Sequence, residues 1–129
     1  MSHLRNFIKK RSIFCLVSIL ICLSPFNSLS AQEINWVEIA NTTDEKQFID
    51  TNSIKYNNKG LLSVVTKYSE INPDDHNIIK TNSYLMAIDC EKRLFSNLPV
   101  NGELKQIKKW NNPINDKLIK TTILNSCSY

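Results

Sequence analysis

The chain has 129 residues, enough for one domain, and it carries a formal net charge of +4 at pH 7. The whole excess comes from four basic residues near the start, so that from Ala31 onward twelve Lys and Arg balance twelve Asp and Glu. Without a global positive field, counterion release cannot drive strong binding to a polyanion, and this argues against nucleic-acid binding.

Residues 1–31 have the layout of a secretory signal peptide. A basic start is followed by an uncharged apolar run over 13–23, a proline and small residues: Arg5, Lys9, Lys10 and Arg11, then Pro25, then Ser28, Ser30 and Ala31. The apolar run is about half as long as the roughly twenty residues of a membrane-spanning helix, so an uncleaved anchor is the weaker alternative. We expect cleavage after Ser30 or Ala31, no stable membrane span, and export of residues 32–129 to the periplasm, cell surface or medium.

The four cysteines divide between the two parts of the chain. Cys15 and Cys22 lie inside the apolar run rather than at its end, which argues against a lipid anchor. Cys90 and Cys127 remain in the exported domain, and an even count in an oxidising compartment predicts one disulfide between them. Two free buried thiols are the alternative.

The first four-fifths of the exported domain are predicted to form β-strands. Short strands are expected over 35–40 and 46–50, with a single turn over 51–54 capped by Asp50. Two long strands are expected over 61–71 and 78–92, separated by a polar loop, and shorter ones over 93–99 and 103–110. Because strand side chains alternate between faces, Tyr84, Met86, Ile88 and Cys90 share one face.

The C-terminal segment is predicted to be a helix. Asn115 is placed to cap it, Asp116 lies in its first turn, and Ile119, Ile123 and Cys127 recur at four-residue steps. Its β-branched residues leave a strand as the alternative. Since each cysteine lies on the apolar face of its element, a disulfide would pin the helix to the sheet. The predicted fold class is therefore α+β, an antiparallel sheet of about six strands with one C-terminal α-helix packed on it and tied by the disulfide.

Candidate catalytic and metal-binding residues are sparse. His76 is the one histidine after residue 31, and it lies in a polar loop with Asp74 and Asp75. A metal site needs further ligands in set geometry, so a solvated loop is the expected reading and no metal or cofactor is predicted. The sequence carries no nucleophile-elbow, zinc-protease, P-loop or dinucleotide motif, and we expect no enzyme activity. A small hydrolase or ligand carrier would instead require a deep pocket beside His76 or Tyr84.

Two further groups of residues allow a binding interpretation and a plainer one. Lysines at 105, 108, 109, 117 and 120 could form a patch for an anionic glycan or acidic protein, but a solvated strand edge and helix face is the favoured reading. Trp36 and Trp110 could anchor an interface, but strand positions favour buried core aromatics.

Short patterned segments follow one another in order along the exported domain. They are Trp36-Val37-Glu38-Ile39, Phe48-Ile49-Asp50 with Ser53-Ile54, a strand ending in Tyr68, Ser83-Tyr84 leading to Asp89-Cys90 and Arg93, and Trp110 with Pro113 before a segment ending at Cys127. Together they resemble the surface-adhesin protein E-like family of exported bacterial domains. The resemblance implies a sheet with a helix fastened by Cys90–Cys127. It also implies structural roles for Trp36, Asp50, Ser53, Ile54, Tyr84, Asp89, Arg93 and Trp110.

The function that this resemblance implies is binding rather than catalysis. The leading hypothesis is an exported, non-enzymatic module that adheres to a protein or extracellular-matrix ligand through sheet or loop surface. The alternative is a periplasmic accessory or structural protein of the cell envelope whose partner is another envelope protein. The absence of a lipid-attachment motif gives this alternative some weight.

Overall fold

The computed structural model describes residues 31–129, and the expected signal peptide lies outside the described residues apart from Ala31. The described part contains six strands, two short 3-10 turns and one α-helix. The strands are β1 (Trp36–Asn41), β2 (Glu45–Asp50), β3 (Lys55–Tyr56), β4 (Leu62–Ile71), β5 (Ile78–Asp89) and β6 (Leu94–Leu98). The 3-10 turns span Thr51–Ser53 and Leu104–Gln106, and the helix α1 spans Lys117–Ser126.

The six strands form one antiparallel sheet. Five of them follow the order β1-β2-β4-β5-β6, and β3 pairs with Leu62 and Ser63 at the start of β4, beside β2. The long β4–β5 hairpin forms the centre of the sheet, with cross-strand pairs that run from Leu62–Ile88 to Ile71–Ile78. Five of the six strands, all except β3, were predicted within about three residues of their observed bounds, and the predicted sheet is confirmed.

The hydrophobic core lies on one face of the sheet, which we call the helix face because α1 packs there. Alternate residues of the three central strands meet the apolar side of α1 in one buried cluster: Ile49, Leu62, Val64, Met86, Ile88, Ile119 and Ile123. Side chains alternate along each strand, so the intervening residues, such as Phe48, Val65 and Leu85, point to the opposite side, the outer face. The helix therefore covers the helix face of the sheet and does not cover the outer face.

The C-terminal helix and its disulfide are confirmed. The helix is capped one residue later than predicted, because Asp116 Oδ1 accepts a hydrogen bond from the Ile119 N–H at 2.9 Å. The buried Thr122 hydroxyl donates to the Leu118 carbonyl oxygen at 2.8 Å, which accommodates a β-branched polar residue inside the helix. Cys90, just after β5, is bonded to Cys127 at the end of α1, with their Cα atoms 5.8 Å apart.

The strand predicted over 103–110 is wrong. Glu103 and Gln106 instead form a reciprocal capping box around the 3-10 turn, and these local hydrogen bonds take the place of a strand ladder. In the described chain between β6 and α1, the backbone pairing with the sheet comes from Asn111, which exchanges two hydrogen bonds with Phe95 at 3.0 and 2.8 Å. The sixth strand is instead the two-residue β3, whose shortness hides it in the sequence.

Candidate functional site

The outer face of the sheet carries an open groove of about 580 Å³. Its floor comes from β1, β4 and β5, and its two walls come from the residues before β1 and from the segment after β6. The apolar lining consists of Ile34, Trp36, Val65, Leu85, Val100 and Leu104. A groove of this size and lining lies within the range of ligand-binding sites.

The wall after β6 depends on a tight turn. Pro99 follows β6 and cannot donate to a strand ladder, and the Gly102 N–H donates to the Pro99 carbonyl oxygen at 2.7 Å. A Cβ on Gly102 would lie 2.9 Å from the Pro99 oxygen and 3.0 Å from the Leu98 Cβ. Only glycine allows this approach, and the turn brings Val100 and Leu104 over the outer face.

The polar rim of the groove is built by Asp50 and Ser53. Asp50 is only 6% exposed, and its Oδ1 accepts hydrogen bonds from the N–H groups of Asn35 at 2.9 Å and Asn52 at 3.1 Å. The Ser53 hydroxyl accepts from the Val65 N–H at 2.8 Å and donates to the Asp50 carbonyl oxygen at 2.7 Å. These bonds tie the turn after β2 to the groove floor, and they hold the rim in place.

A cation and two aromatic rings continue the site along the outer face. Lys67 Nζ lies 4.5 Å from the ring centroid of Trp36 and 4.5 Å from that of Phe48. A cation this close to two rings is attracted to both and restrains them. Trp36 belongs to both features, because its side chain also lines the groove. The outer face thus offers a pre-ordered aromatic surface next to an apolar groove.

Three of the residues singled out in the sequence, Trp36, Asp50 and Ser53, meet at the groove. The expectation that the two tryptophans are core aromatics is wrong: Trp36 and Trp110 are each half-buried, and neither belongs to the core cluster. In β1 the core positions are taken by Val37 and Ile39, whose alternation places Trp36 on the outer face.

The remaining residues of the family pattern lie away from the groove. Ile54 and Tyr84 pack against the core on the helix face, and the Tyr84 hydroxyl accepts a hydrogen bond from Gln47 Nε2 at 3.3 Å. Asp89 Oδ1 accepts from the Lys92 N–H at 3.0 Å in the β5–β6 turn, where the exposed Arg93 has a φ of 55°. These contacts are structural in kind.

Sequence reasoning missed the apolar groove residues and Lys67. The available signal was that β4 and β5 place apolar side chains on both faces, with Val65 and Leu85 opposite the core positions. A strand with one face in water needs apolar residues on the other face alone, so this excess indicated a second covered or binding surface.

The loop that contains His76 has simple structural chemistry. Asp75 Oδ1 accepts a hydrogen bond from the Asn77 N–H at 3.0 Å, which lowers the pKa of the Asp75 carboxyl below its usual value. His76 has a φ of 57° and borders a depression of about 250 Å³ that Lys46 and Thr42 also line. Within residues 31–129, no group of three or more His, Cys, Asp or Glu side chains is placed to hold a metal ion.

Comparisons with known proteins agree with the architecture. No helix in the described part of the chain is long and apolar enough to cross a membrane. No curated protein and no solved structure matches the chain significantly. The sequence profile of the surface adhesin-E family matches residues 37–129, which include all of the sheet after Trp36, the helix and both bonded cysteines. The chain belongs to the surface adhesin-E family.

Proposed function

We propose that this protein is an exported, non-enzymatic binding module that holds a segment of a protein or extracellular-matrix ligand in the outer-face groove. The observation that carries the proposal is the apolar groove itself, which lies on the face opposite the core and has an ordered aromatic edge. Aromatic and apolar residues that remain accessible beside a polar rim are typical of protein-binding surfaces. Membership of the adhesin family indicates an adhesin-like role and an exported or surface location.

The groove favours binding by burial over chemistry on a substrate. Its two best-placed polar groups, on Asp50 and Ser53, already hold the backbone of the rim. The apolar walls instead offer surface that a ligand side chain would remove from water, at about 25 cal/mol for each Å² buried. The ligand that fits is an extended protein segment with one or two large apolar side chains.

Two isoleucines provide a matched test. Ile34 and Ile114 are both 63% exposed, but only Ile34 lines the groove. The probe is a panel of immobilised extracellular-matrix proteins, with the purified exported protein and its variants in solution. We expect Ile34→Glu to weaken binding at least about tenfold, since it places a charge in an apolar contact, and Ile114→Glu to leave binding unchanged. Equal binding by both variants would place the ligand elsewhere.

Trp36 gives an optical readout of the same site. In a Trp110→Phe variant, Trp36 is the one tryptophan of the exported domain, so its emission reports directly on the groove. A bound segment should shift this emission to shorter wavelength because it excludes water from the indole. Binding without any spectral change would contradict the groove assignment.

His76→Ala should bind normally, whereas loss of binding in that variant would direct attention to the loop.

The location of the protein separates adhesion from the envelope-accessory alternative. We expect an intact mass that begins near Ala31 or Gln32, and protease access to the protein on intact cells. Recovery in the soluble periplasmic fraction, protected from external protease, would favour a partner within the cell envelope instead.

A further inference from the structure

Lys67 is a half-buried cation in the middle of the outer face. Its cross-strand neighbours, Phe48 on β2 and Ser83 on β5, carry no charge. Its Nζ lies 4.5 Å from the ring centroid of Phe48 and 4.5 Å from that of Trp36. Aromatic ring faces attract a cation through their quadrupoles, but a ring has no net charge. The ammonium group therefore keeps its full positive charge on this surface.

The acidic side chains of the outer face and of the groove lining have other partners. Glu38 and Glu103 each form an ion pair with a lysine other than Lys67. Asp50 is 6% exposed, and its Oδ1 accepts hydrogen bonds from two backbone N–H groups. Within residues 31–129, Lys67 takes part in no ion pair, so the chain described here does not supply its countercharge.

Trp36 connects this charge to the groove, because its side chain lines the groove and also lies against the ammonium group. A ligand that packs on the Trp36 ring therefore also removes water from Lys67 Nζ. Removing water from a charge is unfavourable unless a group of opposite charge takes its place. A wholly apolar ligand loses at Lys67 part of the free energy that it gains in the groove, whereas a ligand with a carboxylate there gains at both places.

The spacing of the two subsites follows from β4. Val65 and Lys67 are two positions apart on this strand, so their side chains leave the same face about 7 Å apart, and Val65 lines the groove. An extended ligand segment has the same repeat, and its residues i and i+2 project to one side. The geometry matches a carboxylate two positions from the apolar side chain that enters the groove.

We propose that the outer face selects an acidic protein segment, in which an Asp or Glu side chain pairs with Lys67 Nζ and a large apolar side chain two positions away enters the groove. This inference rests on the proposed function, because it assigns a second subsite to the ligand of the same groove. The ligand carboxylate provides the countercharge that the two aromatic rings do not provide.

Two pools of short synthetic peptides test the acidic position. Every peptide is capped at both ends and carries one phenylalanine. The residues two positions before and after it are glutamate in one pool and glutamine in the other, and the remaining positions hold Ala, Ser or Thr. Binding to the exported Trp110→Phe protein is followed by the emission of Trp36. We expect the glutamate pool to bind at least about fivefold more tightly, and the difference to shrink in about 0.5 M salt.

Variants of the protein assign this preference to one lysine. Lys67→Met removes the charge and keeps an unbranched side chain against the rings, so it should bind both pools equally. Lys67→Arg keeps the charge and should keep the preference. Lys46→Met is the matched control, because it removes the same charge at a half-buried lysine of the outer face that does not line the groove. Ile34→Ser shortens the groove wall without adding a charge and should weaken both pools alike.

The possible failures separate this inference from the groove itself. Equal binding of the two pools, with Ile34→Ser weakening both, would overturn the acidic subsite and leave the groove proposal standing. A glutamate preference that persists in Lys67→Met would place the countercharge elsewhere and overturn the inference. Binding of neither pool up to about 1 mM would also overturn it, and the matrix panel with Ile34→Glu would then decide the groove proposal separately.

Discussion

Replacing both bonded cysteines by alanine should remove about 4 kcal/mol from the free energy of unfolding. The bond joins residues separated by 37 positions, and a loop of that length restricts the unfolded chain by about 4 kcal/mol at 25 °C in the chain-entropy model. The variant also loses part of the contact that Cys90 and Cys127 make with the core cluster. A single domain has a total stability of about 5–15 kcal/mol, so this one bond supplies a large share.

Chemical denaturation in guanidinium chloride measures the effect. With a slope of about 3 kcal/mol per molar, the midpoint of Cys90→Ala/Cys127→Ala should fall by about 1.3 M, and the slope should rise because the unlinked unfolded chain exposes more surface. Thermal unfolding should begin about 15–30 °C lower. A loss below about 1 kcal/mol with an unchanged slope would refute the reasoning, because the unfolded chain would then be equally restricted without the bond.

Four smaller changes test other parts of the structure. Asp116→Ala should lower stability by about 1 kcal/mol through loss of the helix cap, whereas an unchanged melting temperature would show that the cap contributes nothing. Ser126→Ala should raise stability by about 1 kcal/mol, because this hydroxyl is 0% exposed and has no hydrogen-bond partner in the part of the chain that the structure describes; a lower melting temperature would contradict this. Arg93→Gly should be neutral or stabilising by up to about 1 kcal/mol, since its φ is positive, and a marked loss would assign a role to the arginine side chain. The hydrogen bond that Tyr68 donates to Glu45 raises the pKa of the Tyr68 phenol. The bond therefore stabilises the fold below about pH 10, and this stabilisation is lost as the pH rises through the higher pKa that the phenol has in the folded protein. The difference between wild type and Tyr68→Phe in absorbance at tyrosinate wavelengths should therefore emerge only well above pH 10, and its appearance at an ordinary tyrosine pKa would contradict the assignment.

Periodicity was sufficient to predict the core and the disulfide. Met86 and Ile88 on the strand, and Ile119 and Ile123 on the helix, recur at the spacing of their elements, and the structure buries all four in one cluster. Each cysteine continues the series of its own element, which explains why the bond could be anticipated before the sheet order was known.

The groove could not be predicted because its walls are not periodic. The segment over 100–104 crosses the outer face only because of the close approach at Gly102, which is a tertiary feature. The strand predicted over 103–110 was wrong for a local reason, because the polar residues Glu103 and Gln106 that form the capping box would fit a strand sequence equally well. Trp36 was misplaced because β1 has apolar residues on both faces, and the sequence does not say which set the helix covers.

The separation of the two faces has a consequence for how this protein can change. The cluster beneath α1 and the disulfide sustain folding, while Val65, Leu85 and Trp36 project from the same strands towards the other side and stay outside that cluster. Under the proposed function, substitutions at these positions would alter recognition while sparing the core, so binding preference could diverge among descendants of one scaffold. The same property suits the domain to laboratory selection, with the groove residues randomised and the helix side left untouched.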